Sequence, residues 1–98
     1  MSAYWIAHVT VTDQQQYQRY MALARDALLQ FDARFLARGE QAETPEGKAY
    51  TKHVLIEFRD YETALACYHS EAYQQARQAR ENVAEVMITL VDGIPDSP

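Results

Sequence analysis

Two hydrophobic rhythms alternate along the chain. Four short runs repeat apolar and polar residues with a period of two. Between them lie longer stretches whose apolar residues recur every three or four positions. The first rhythm marks a strand buried on one face, the second a helix with an apolar stripe. Tyr4 to Val11 (YWIAHVTV) is rich in aromatic and β-branched residues and reads as strand one. Thr12 or Asp13 then caps a helix running to about Gln30, with Gln15 or Gln16 at the capping-box spacing. Tyr17, Tyr20, Met21, Ala24, Ala27, Leu28 and Phe31 form its stripe.

Arg34 to Arg38 reads as strand two. The polar stretch from Gly39 to Thr51, punctuated by Pro45 and Gly47, reads as a long hairpin loop. His53 to Phe58 (HVLIEF) is strand three. Asp60 or Thr63 opens a second helical region striped by Ala64, Leu65, Tyr68, Ala72, Ala76, Ala79 and Val83, and Ser70 is placed to stop and restart it. Val86 to Val91 is strand four, ended by Asp92-Gly93. A β-α-β unit used twice predicts an α+β, ferredoxin-like βαββαβ sandwich. With right-handed crossovers, its four-stranded antiparallel sheet takes the order 4-1-3-2, and both helices cover one face. A single domain spans 3–93, and 94–98 form a short C-terminal tail.

Parity then sorts the strand residues. Trp5, Ala7, Val9 and Val11 belong under the helices with Val54, Ile56, Phe58, Phe35 and Ala37. The opposite face takes Tyr4, Ile6, His8, Thr10, Arg34, Leu36, Arg38, His53, Leu55 and Glu57. In strand four both sets are mostly apolar, so parity leaves it open. The second face is too apolar for water and too charged for a dry core. The expected resolution is a homodimer whose sheets face each other, since two-fold self-complementary pairing is the commonest oligomeric arrangement. A 98-residue domain also gains from association, because it buries a modest fraction of its own surface.

Composition narrows the partners. The net charge of −5 and the scattered Lys and Arg argue against nucleic acid. No apolar run approaches the ~20 residues that span a bilayer, and the N-terminus lacks a signal-peptide pattern, so a cytoplasmic protein without a membrane role is expected. Cys67 is the single cysteine, which leaves no intramolecular disulfide, and a buried structural thiol is the expected role. No phosphate-binding loop, nucleophile elbow or CxxC is present.

The segments YWIAHVTVTD, RFLARG, VLIEF and ALACYHSEAYQQAR together resemble domain-of-unknown-function family 1330 (DUF1330), of the dimeric α/β-barrel superfamily. The resemblance covers Tyr4 to about Gly93. It implies a ferredoxin-like protomer pairing into a dimeric α/β barrel, and no particular reaction. Wider relatives include cofactor-independent monooxygenases, lactone isomerases and haem enzymes. The chain departs from the family pattern at turns: Asp32-Ala33 stands where a glycine pair is frequent, Glu40 where a second glycine follows Gly39, and Glu71 where proline is common.

Candidate chemistry gathers on the open face. His8 beside Glu57 would make a general base with an orienting carboxylate. In a simple hairpin register Arg34 lies opposite Glu57 and Arg38 opposite His53, a pairing that a bulge in the long loop would shift, and an arginine there would anchor an anion or stabilise an enolate. Tyr4, Thr10 and His53 complete the expected ligand-binding surface. The blander alternative is an interfacial ion pair between Glu57 and an arginine. His8, His53 and His69 lack ligand spacing, so neither a metal nor another cofactor is expected. The expected function is binding of a small, partly apolar or anionic molecule at the open sheet face. The alternatives are a cofactor-independent enzyme of isomerase or monooxygenase type, or a non-catalytic interaction module.

Overall fold

Asp13 starts the first helix: its backbone is extended and its carboxylate accepts the Gln16 N–H at 3.1 Å, satisfying a donor that the first turn leaves free. From this and the other boundary signals the computed structural model, which describes residues 1–95, builds seven elements. They are β1 (Ala3–Val11), α1 (Gln14–Gln30), β2 (Arg34–Ala37), β3 (Lys52–Phe58), α2 (Tyr61–His69), α3 (Glu71–Ala79) and β4 (Ala84–Asp92). The sheet runs β2-β3-β1-β4, antiparallel throughout, which is the ferredoxin-like order expected. Of the expected tail at 94–98, Ile94 and Pro95 are exposed and 96–98 lie outside the described residues.

The second helical region is two helices, and Ser70 is the reason. Its hydroxyl donates to the Cys67 carbonyl at 2.6 Å and accepts the Tyr73 N–H at 3.1 Å, ending α2 and capping α3 with one side chain. Asp60 caps α2 in the same manner, accepting from the Thr63 N–H at 2.8 Å.

Burial follows the parity of β1: Ala3, Trp5, Ala7 and Val9 are buried, and their neighbours Tyr4, Ile6, His8 and Thr10 are half-exposed. In β4 the half-buried set is Val86, Ile88 and Leu90, which turns Met87, Thr89 and Val91 to the open face and settles what parity alone could not. The core is aromatic. Trp5 stacks on Phe58 (ring centroids 5.9 Å apart) and meets Tyr73 edge-on at 4.9 Å. Tyr73 bonds the Tyr20 hydroxyl at 2.7 Å, tying α3 to α1. After α1 the chain turns through Asp32 at φ 58°, a left-handed conformation that favours glycine. Among the described residues, no helix is long and apolar enough to cross a membrane.

Candidate functional site

The open face is organised in rows of directly opposed residues. One row runs Arg34, Glu57, Tyr4, Val91; further along the sheet another runs His53, His8, Met87. Opposed residues on antiparallel strands project to the same side. Register therefore decides which side chains meet, and it separates the expected pair. His8 lies opposite His53, Glu57 lies opposite Tyr4, and the Ile6–Leu55 row stands between them. Four residues of strand put His8 and Glu57 about 13 Å apart along β1 and β3. Glu57 thus cannot orient the His8 ring, and the His8–Glu57 pairing is corrected.

His8 has another partner. Its Nδ1 lies 2.9 Å from the Nδ1 of His53, with the rings edge-to-face and their centroids 5.1 Å apart. One nitrogen must donate and the other accept, so the contact holds a single proton between two imidazoles. Tyr50 closes the end of this row, its ring centroid 5.9 Å from that of His8. The chain leading into β3 is pinned there because the Thr51 N–H donates to the Val9 carbonyl at 3.1 Å. Lys48 pairs with Glu85 on β4 and lies over the Tyr50 ring at 5.3 Å. Residues 48–51 thereby wall one end of the face, beside Thr10, which opposes Glu85.

Glu57 and Arg34 do face each other, at 3.8 Å, as expected from the hairpin. Arg34 is 77% exposed, so the pair is a screened surface contact. Arg38 does not join it. A bulge between Phe35 and Ala37 sets Ala37 opposite Leu55 and shifts the strand by one position. Because side chains alternate, that shift sends Arg38 to the helix side, where its guanidinium lies 4.9 Å over the Phe35 ring. The expected position of Arg38 opposite His53 on the open face, and of Ala37 under the helices, is corrected.

Arg38 arrives at a concavity on the helix side of the sheet. A cleft of about 660 Å³ opens between α1 and the inner sheet face. Ala7, Val9, Val54, Ile56 and Ile88 supply its sheet side, and Ala24 and Leu28 its helix side. The small residues Ala7 and Ala24 leave the space that larger side chains would fill. At its rim stand Arg25, Arg38 and Lys52, with Glu40 as the one acidic lining residue. Lys52 also lies 5.4 Å over the ring of Tyr17, whose hydroxyl is pushed above its ordinary range by burial. Arg25 and Lys52 escaped the sequence reading. Arg25 is one helical turn from Met21 on α1, the only hint available.

Cys67 is buried on α2, and desolvation pushes its thiol from 9.0 up to about 12, so it is a structural group and a poor nucleophile. Among the described residues no three His, Cys, Asp or Glu side chains converge as a metal set. His69 is exposed on the helical side, edge-on to Tyr68.

With this geometry in place, the comparisons agree on lineage and fold. Residues 2–94 match the family described as a domain of unknown function (DUF1330), and the chain belongs to that family. No curated protein matches it. Among solved structures, a protein of unknown function from Rhodopseudomonas palustris superposes with a TM-score of 0.77 at 8% identity, covering 96% of this chain and 83% of that one. A dimeric ferredoxin-like protein of unknown function from Jannaschia sp. CCS1 gives 0.70 at 11% identity, covering 95% and 100%. SnoaB, a cofactor-independent oxygenase from Streptomyces nogalater, gives 0.65 at 11% identity, covering 99% and 97%. At these identities the likeness shows a shared fold.

Proposed function

We propose that this DUF1330 chain is a homodimeric binder of a small, partly apolar anion. The observation that carries the reading is the cleft beneath α1. Its volume of about 660 Å³ is in the range that encloses an organic metabolite. Its walls are apolar, and three cations stand at its rim in a chain whose net charge is −5. Cations gathered at one opening of an acidic protein favour a ligand with an anionic head and an apolar body. The ligand class is the one expected from sequence. The place differs, because the bulge in β2 carries Arg38 from the open face to the cleft.

The open face then serves association. Met87 and Val91 are 45% and 40% exposed there, and among the described residues no element covers them. A second copy would bury this surface by stacking sheet against sheet. That the Jannaschia protein of the same fold is described as dimeric lends support.

Binding is tested by calorimetry with medium-chain and aromatic carboxylates, the matching alcohols serving as neutral probes. Carboxylates should saturate one site per chain and alcohols should not. Arg38→Ala should weaken binding about tenfold, the equivalent of about 1.4 kcal/mol. Ala24→Leu, which fills the cleft, should abolish it. Carboxylates that bind both variants as tightly as the parent protein would rule the cleft out.

A further inference from the structure

We propose that His8 and His53, with Met87 beside them, form a copper-binding site on the open face; His53 also stands at the edge of the cleft. The two Nδ1 atoms converge at 2.9 Å from adjacent central strands, and the rings are half-buried. That spacing has a reading besides a shared proton. Two nitrogens each about 2.0–2.1 Å from one ion lie about 2.9 Å apart when bound at a right angle, and about 3.3 Å apart in a tetrahedron. The observed separation places both nitrogens within reach of one ion once the shared proton is lost.

The third residue of the row strengthens the choice of metal. Met87 lies directly opposite His8 on β4, the far side from His53, so imidazole, imidazole and thioether stand in one line across β3, β1 and β4. Met87 is 45% exposed in the single chain, and its side chain is unbranched and flexible. A thioether is a soft donor that adds affinity for Cu(I) and little for Zn(II), while imidazole serves both copper states. Cu(II) also stands highest in the ordinary affinity order of the divalent first-row ions. The thioether is therefore the feature of this donor set that favours copper over zinc.

The test begins with the intact protein. Titrated with Cu(II), it should take up one equivalent per chain, and the electron paramagnetic resonance spectrum should show coupling to two imidazole nitrogens. Zn(II) should bind at least tenfold more weakly. His8→Ala and His53→Ala should each weaken Cu(II) binding at least tenfold and remove the two-nitrogen signature, with the far-UV dichroism unchanged. Met87→Leu should leave the Cu(II) spectrum intact and lower affinity for Cu(I) about tenfold in competition with a bicinchoninate chelator. The site is refuted if the parent protein shows no coupling to two nitrogens, or if a His8→Ala/His53→Ala double variant titrates as the parent does. An unchanged Cu(I) affinity in Met87→Leu would remove the thioether from it.

Discussion

The two faces of the sheet are built from alternate residues of the same strands and behave as different materials. Under the helices, Trp5, Phe58, Tyr73 and Cys67 are essentially solvent-free and packed ring against ring. One position along β1, Ile6 and His8 are half-exposed among an ion pair, a histidine pair and uncovered methionine and valine. The helix side is a core with a cleft beneath α1. The other side has polar groups satisfied pairwise and apolar groups left bare, which is the character of an interface. Each residue's role therefore depends more on its side of the sheet than on its chemical type: Arg34 and Arg38 differ in role because a bulge puts them on opposite sides.

Substitution should separate the faces most sharply at Trp5. Trp5→Ala opens a cavity beneath α2 and α3 and should cost about 3–5 kcal/mol, enough to unfold much of so small a domain. Met87→Ala on the other face should change protomer stability by less than about 1 kcal/mol. Urea denaturation of both variants checks the contrast, and equal losses would mean that the open face is core as well.

Alkaline titration should probe the core next. Burial raises the Cys67 thiol from 9.0 to about 12, and burial likewise raises the Tyr20 and Tyr73 hydroxyls. Above pH 9 the unfolded chain releases protons that the folded chain keeps, so this stability is complete below pH 9 and is lost as pH rises toward about 12. The melting temperature should fall by at least about 5 °C between pH 9 and pH 11. A flat profile would show these groups to be solvated. The smallest effect should come from the turn after α1. Asp32→Gly should relieve the left-handed backbone at φ 58° and raise stability by about 0.5 kcal/mol, read as a small upward shift in urea midpoint.

These contrasts also mark where the sequence was legible. The sides of β1 and β3 followed from parity, because a period of two leaves no freedom once one face is buried. Ser70 announced the break between α2 and α3 because its hydroxyl offers a better-placed acceptor than a continued helix. Arg38 was misplaced because the bulge near Leu36 depends on how a 14-residue connection (38–51) returns to β3, and no local pattern encodes that. The His8–His53 contact was hidden for a related reason: β1 and β3 are joined through α1 and β2, so no turn between them fixes their register. The cleft was hidden because its lining residues, Ala7 and Ala24 among them, are distant in sequence and come together only when the layers pack.

The claim that one face is core and the other an interface is tested most directly by sedimentation equilibrium at tens of micromolar. The account predicts a species of about 22.6 kDa, twice the 11.3 kDa chain, and an Ile6→Glu variant that keeps its dichroism but sediments as a single chain. A parent protein that sediments at 11.3 kDa would contradict it.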